Sequence, residues 1–150
     1  MFKILLALHL LTAIFVVGPL VHITTTSARG LRTGDATATA AAARGTRIYG
    51  ALSILVVILG FGLMSQKAPW DKSQHVAEFG ELWIWLSVVL WLIGAAIALA
   101  VLEPALKNAT TAIGAGEPVE ALKGRVAASG GVIGLLMAAI VFLMVYQPGS

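Results

Sequence analysis

The chain has 150 residues, of which 59% are hydrophobic and only 11% charged, with a net charge of +3 and a mean hydropathy of +0.93. Soluble domains carry about 25% charged residues, so this composition indicates an integral membrane protein. The absence of cysteine excludes disulfides, thiol catalysis and thiolate metal sites, and the sequence holds no phosphate-binding loop, HExxH motif or nucleic-acid module.

Phe2 to Ile23 is the first apolar segment. It is too long for a typical signal-peptide core, Lys3 makes a thin basic leader, and Thr26-Ser27-Ala28 makes a poor cleavage site. A membrane helix is expected over about 2–24, with Gly18-Pro19 allowing a kink near its end. Thr24 to Gly34 is polar, holds Arg29 and Arg32, and reads as a loop. Asp35 then suits an N-cap, and the alanine-rich stretch after it favours a long helix over about 36–65, apolar from Ile48 to Met64.

Gln66 to Glu81 is a polar loop with Pro69 and Trp70. Leu82 to Leu102 carries no ionisable residue, and at 1.5 Å per residue it covers roughly 31 Å, the thickness of a bilayer's hydrocarbon core. Trp83 and Trp85 suit the lipid–water interface at one end, and Glu103-Pro104 closes the apolar run at the other. The third helix, from about 80, is expected to continue past Pro104 to about 113. Gly114-Ala115-Gly116 ends it, and Pro118 opens a fourth helix over about 118–147. The fold class is therefore all-α: a polytopic membrane protein forming one four-transmembrane-helix bundle over residues 1–150.

Basic residues give an orientation. Arg29, Arg32, Arg44, Arg47, Lys107, Lys123 and Arg125 share one side, against Lys3, Lys67 and Lys72 on the other. The first set is expected in the cytoplasm of a plasma-membrane protein, with both termini outside. Two hairpins also share a pattern. Pro19 and Pro104 each precede a Thr-Thr pair by six residues, and Gly34-Asp35 and Gly116-Glu117 each open the following helix. Such hairpins would be related by an axis along the membrane normal.

Small and weakly polar residues decide which faces meet in lipid. The expected seams are Leu5, His9, Thr12, Val16 and Pro19; Gly50, Ser53, Val57, Gly60 and Met64; Ser87, Trp91, Gly94, Ala98 and Val101; and Ala127, Gly130, Gly134, Met137 and Val141.

Candidate chemistry is sparse, and no cofactor is expected. His9 is the one ionisable side chain deep in an apolar segment. An axial haem ligand or proton-relay group is one reading, and a neutral ring hydrogen-bonded in the bundle is the simpler one. His75 is its conceivable haem partner, because His22 lies thirteen residues away on the same helix. Asp71, His75 and Glu78 have the types and spacing of metal ligands, but such spacing is common in a polar loop. Glu103 would be a gating carboxylate or, more simply, a solvated charge at the cytoplasmic end. Arg29, Arg32, Arg44 and Arg47 suit anionic phospholipid head groups. Trp70, Trp83 and Trp85 crowd one edge, as either an aromatic belt or a partner interface. No ionisable group stands at mid-membrane in the last three helices, which argues against transport.

The opening LLALHLLTAIFVVGPLVH, the Pro–Thr-Thr element of both hairpins and the overall size resemble a bacterial family of small predicted integral membrane proteins without assigned function. The alanine-rich composition resembles that of actinobacterial proteins. That likeness implies a non-catalytic accessory or assembly subunit of a larger membrane complex, of the kind associated with the cytochrome bcc–aa3 respiratory supercomplex. The alternatives are a b-type haem electron carrier and a small transporter or channel component.

Overall fold

The computed structural model describes residues 1–69, 71 and 73–148. Among the described residues, four helices are long and apolar enough to cross a membrane: α1 Phe2–Thr33, α2 Ala36–Met64, α3 Leu82–Gly114 and α4 Glu120–Tyr146. Each packs against the next, and α4 closes on α1. The expected all-α bundle is what forms.

One expected loop is helix. Residues 24–33 continue α1 instead of leaving it. The hydroxyls that make this stretch look polar bond back to carbonyls of their own helix: Thr25 to Val21 O at 2.6 Å, Thr26 to His22 O at 2.7 Å and Ser27 to Thr24 O at 2.8 Å. Satisfied in this way, the segment adds Ala28 and Leu31, 3% and 2% exposed, to the core. The connection to α2 shrinks to Gly34 and Asp35, with Gly34 at φ +65°, a conformation that glycine adopts without steric cost. Asp35 caps α2 as expected, accepting from the Ala38 N–H at 2.9 Å.

Both membrane prolines follow a widened turn. Ala13–Val17 and Ile97–Leu102 are π-helical, and each ends two residues before its proline. The Gly18 N–H reaches Ala13 O and the Glu103 N–H reaches Ala98 O, five residues back in both cases. A proline lacks the N–H and crowds the carbonyl four residues earlier, so a π turn lets the helix run on with its neighbouring groups paired. Gly116 at φ +71° repeats the turn of Gly34. Pro118 does not open α4; Val119 is the N-cap residue and Glu120 the first helical one.

The two hairpins meet mainly in their turn-end halves, where the first half of α2 lies on the last part of α3 and α4 lies on the later part of α1. The main core is there, built on Leu31, Leu102, Leu106, Val126 and Ile133. The seam of α4 differs from the expected one. Ala127 and Val141 are exposed, and Val126, Ser129, Gly130, Ile133 and Met137 are buried. A helix turns 100° per residue, so the face shared by α1 and α3 centres on positions 126 and 133. Between α2 and α3, the Trp91 Nε1–H donates to Ser53 Oγ at 3.0 Å, and Ser53 donates to Gly50 O at 2.6 Å.

Candidate functional site

A groove of about 450 Å³ opens between α2 and α3 near the turn end. Its α2 wall is one stripe, with Ala40, Ala43, Arg44 and Arg47 at helical spacing. Its α3 wall is Glu103, Lys107, Thr110 and Thr111, again one stripe. The two alanines keep the floor low, and the longer side chains rise around it. Lys107 Nζ lies 2.7 Å from Glu103 Oε1, and the carboxylate side chain is 9% exposed against 58% for the lysine. Glu103 is therefore buried and paired, and the expectation of a solvated charge is corrected: α2 packs on this part of α3, and Lys107 one turn on takes up the carboxylate. Thr110 and Thr111 donate to Leu106 O and Lys107 O, at 2.8 and 3.2 Å, which leaves their oxygens able to accept. Arg44 and Arg47 are exposed and have no ion pair or hydrogen bond among the described residues.

The four arginines expected to act together are thus divided. Arg44 and Arg47 face the groove, whereas Arg29 and Arg32 stand exposed on α1, with Arg32 Nε donating to Ala28 O at 3.4 Å. Lys107 and the threonines were missed as partners of the arginines. The signal was available in the Glu103–Lys107 spacing of four and in the Thr-Thr pair after Pro104.

His9 is 7% exposed, and its Nδ1 lies 3.0 Å from Val56 O, so it donates to α2 across the α1–α2 seam. Its ring rests on Gly60, where a Cβ would come within 3.3 Å of Cε1. His75 is exposed and sets its own Nδ1 3.1 Å from Ser65 O. The two histidines thus address carbonyls nine residues apart on the chain.

The described residues between α2 and α3 fold back on themselves. Lys67 and His75 form an antiparallel bridge, flanked by Ala68 N–H to Gln74 O and Val76 N–H to Gln66 O, both 2.9 Å. Asp71 accepts from the Ser73 N–H at 2.9 Å and hydroxyl at 2.7 Å, and these bonds hold its carboxyl below the usual aspartate range. The Glu78 N–H donates to Glu81 Oε1 at 2.9 Å. The Asp71 carboxylate and the His75 ring serve the loop's own geometry, Glu78 does so only through its backbone N–H, and no three metal-ligating side chains converge among the described residues.

The expected aromatic edge separates by geometry. Trp83 is half-buried beside Met64, Ala77 and Ile84, with Nε1 bonded to the Glu81 carboxylate. Trp85 is 50% exposed and its Nε1 donates to Phe79 O at 2.7 Å. Phe79 in turn stacks on Phe61 at 6.1 Å. Trp70 lies outside the described residues.

Residues 3–148 match the model of a family described as "Predicted integral membrane protein (DUF2269)", and the chain belongs to that family. No curated protein and no solved structure matches it.

Proposed function

We propose that this chain is a non-catalytic accessory or assembly subunit of a larger integral membrane complex, docking through the loop end of α3. The observation that carries this is the fixed apolar edge at Phe79, Leu82 and Trp85, which are 61%, 68% and 50% exposed. A free interfacial tryptophan keeps its indole N–H for water or head groups. Here that donor is spent on Phe79 O, and Phe79 is held by Phe61. An aromatic anchor ordered in advance loses little entropy on binding. Five of the buried hydroxyls support the same reading, while the Thr46 hydroxyl, also buried, has no partner among the described residues. Those of Thr24, Ser27, Thr39, Ser53 and Ser87 donate to carbonyls of their own helix, so they spend their donors on structure instead of lining a solute path. The partner proposed is a respiratory electron-transport supercomplex, on the likeness of the alanine-rich composition to that of actinobacterial proteins.

The test is purification of the tagged protein from its own membranes in mild detergent. Wild type should bring a haem-bearing respiratory complex with it, and Trp85→Ala with Leu82→Ala should release that complex while the bundle stays folded and inserted. Undiminished co-purification of the double variant would place the contact elsewhere. A wild-type protein that emerges as a free bundle would end the accessory reading.

A further inference from the structure

We propose that the groove between α2 and α3 is a binding site for a phosphate group, with Arg44 and Arg47 as its ligands, and that an anionic phospholipid supplies the phosphate. The inference stands apart from the accessory-subunit reading.

Charge comes first. The groove holds three cations and one carboxylate. The carboxylate is already committed, since Glu103 pairs with Lys107 on its own helix at 2.7 Å. Two guanidinium groups remain, and neither has an ion pair or hydrogen bond among the described residues. A guanidinium presents five N–H donors in a planar fork that fits phosphate oxygens in pairs. Two such forks one helical turn apart are a surplus of donors with no internal use.

The Glu103–Lys107 pair explains why the site stays open. Glu103 is the acidic side chain that lines the groove with the two arginines, and an unpaired carboxylate there would attract them. Lys107 occupies it instead. The ion pair thus competes with self-neutralisation and leaves the two arginines as the groove's unbalanced charge. Above it, the Thr110 and Thr111 hydroxyls point their donors at their own helix, so these oxygens are acceptors for the hydroxyls of a glycerol-type head group.

Height selects lipid as the source. The apolar run of α2 begins at Ile48, directly after Arg47, and the apolar run of α3 ends at Leu102, directly before Glu103. The groove therefore sits where hydrocarbon gives way to head groups on both helices at once. A phospholipid phosphate lies at that level, and basic groups there attract anionic lipids. Ala40 and Ala43 leave the space that a head group needs.

The experiment is native mass spectrometry of the full chain in detergent, with phosphatidylglycerol and phosphatidylcholine as lipid probes and millimolar inorganic phosphate as competitor. Wild type should retain phosphatidylglycerol over phosphatidylcholine by about tenfold, and Arg44→Gln with Arg47→Gln should remove that preference. Arg29→Gln with Arg32→Gln lies outside the groove and should keep it. Arg44→Lys with Arg47→Lys retains the charge and should keep most of it, which separates ligation from folding. Glu103→Gln should bind at least as well as wild type. Retention that survives inorganic phosphate assigns the site to the lipid head group. Equal retention of both lipids, with phosphate binding lost in the Arg44→Gln, Arg47→Gln variant, assigns it to a soluble phosphate ester. Wild-type retention in that variant, or an equal loss in the Arg29→Gln, Arg32→Gln variant, overturns the site.

Discussion

Gly130 of α4 lies so close to Thr24 of α1 that a Cβ on the glycine would stand 2.0 Å from the Thr24 carbonyl oxygen and 2.8 Å from its carbon. The obstacle is backbone, so no rotamer change relieves it. Gly130→Ala must push the helices apart, and the expected loss is about 1–3 kcal/mol, the range for overpacking a well-filled core. Gly131→Ala meets nothing within 4 Å and should leave stability unchanged or slightly raised, since alanine is the better helix former. Thermal unfolding of both variants in one detergent checks this. Equal melting temperatures would show that the α1–α4 crossing is looser than the geometry requires.

The same crossing throws light on the two hairpins. In the α1–α4 contact the glycine closes the helices together; in the α2–α3 contact, arginines, a lysine and two threonines hold a groove open. The Pro–Thr-Thr pattern is shared, but Glu103 stands before Pro104 where Gly18 stands before Pro19. One carboxylate thus marks the hairpin interface that carries charge.

His9 and Gly60 form a second coupled pair. The imidazole donates to Val56 O and lies on the glycine. Interhelical hydrogen bonds in membranes average about 0.6 kcal/mol, so His9→Ala should cost about 1–2 kcal/mol once lost packing is included. Gly60→Ala presses on Cε1 from 3.3 Å and should destabilise wild type, yet become nearly neutral in the His9→Ala background. Melting the two single variants and the double variant measures that coupling; additive losses would mean that the ring does not rest on Gly60. A Soret band in the purified protein, abolished by His9→Ala, would instead make His9 a haem ligand.

The helices were legible because hydrophobic runs of membrane length leave little choice of structure. The four spans, the Asp35 cap and the Gly34 and Gly116 turns all follow from local chemistry. The continuation of α1 through residues 24–33 was not legible, because Thr and Ser look like loop residues until their hydroxyls are seen bonded to carbonyls three and four residues back. The groove was half legible. Arg44 and Arg47 announced themselves as surplus charge, but their relation to Lys107 and Glu103 depends on which face of α3 meets α2, a tertiary fact. The Phe79 carbonyl that takes up the Trp85 indole could not be read at all, since it depends on how a polar loop folds.

That loop gives a pH prediction. Two hydrogen bonds from Ser73 favour the ionised form of Asp71 and depress its pKa from 3.8. A group with a depressed folded-state pKa adds its stabilisation fully above the unfolded value and loses it as pH falls through the folded value. The Ser73 turn should therefore persist unchanged from neutral pH to about pH 4 and open below it. The Ser73 amide proton shift, followed by NMR in detergent, should titrate in that acid range and stay flat in Asp71→Ala. A midpoint above the ordinary aspartate value would contradict the bonding seen.

Topology is the remaining expectation, and the structure supplies its reporters. Thr33 is exposed beside the Gly34 turn, and Ser73 is exposed in the loop at the other end of the helices. Seven basic residues gather toward the turn end, on Arg29, Arg32, Arg44, Arg47, Lys107, Lys123 and Arg125. Basic groups flanking membrane helices are retained on the cytoplasmic side. Cysteine at Ser73 should then react with an impermeant maleimide in intact cells, and cysteine at Thr33 only after the membrane is opened. The chain has no native cysteine to confuse the assay. Thr33→Cys carries little structural risk, because its hydroxyl only supplements the last turn of α1 with bonds of 3.1 and 3.4 Å to Arg29 O and Gly30 O. Labelling of both sites in intact cells would refute a membrane crossing between them. The reverse pattern would place the Arg44–Arg47 groove on the outer leaflet, and the choice of lipid offered to it would change accordingly.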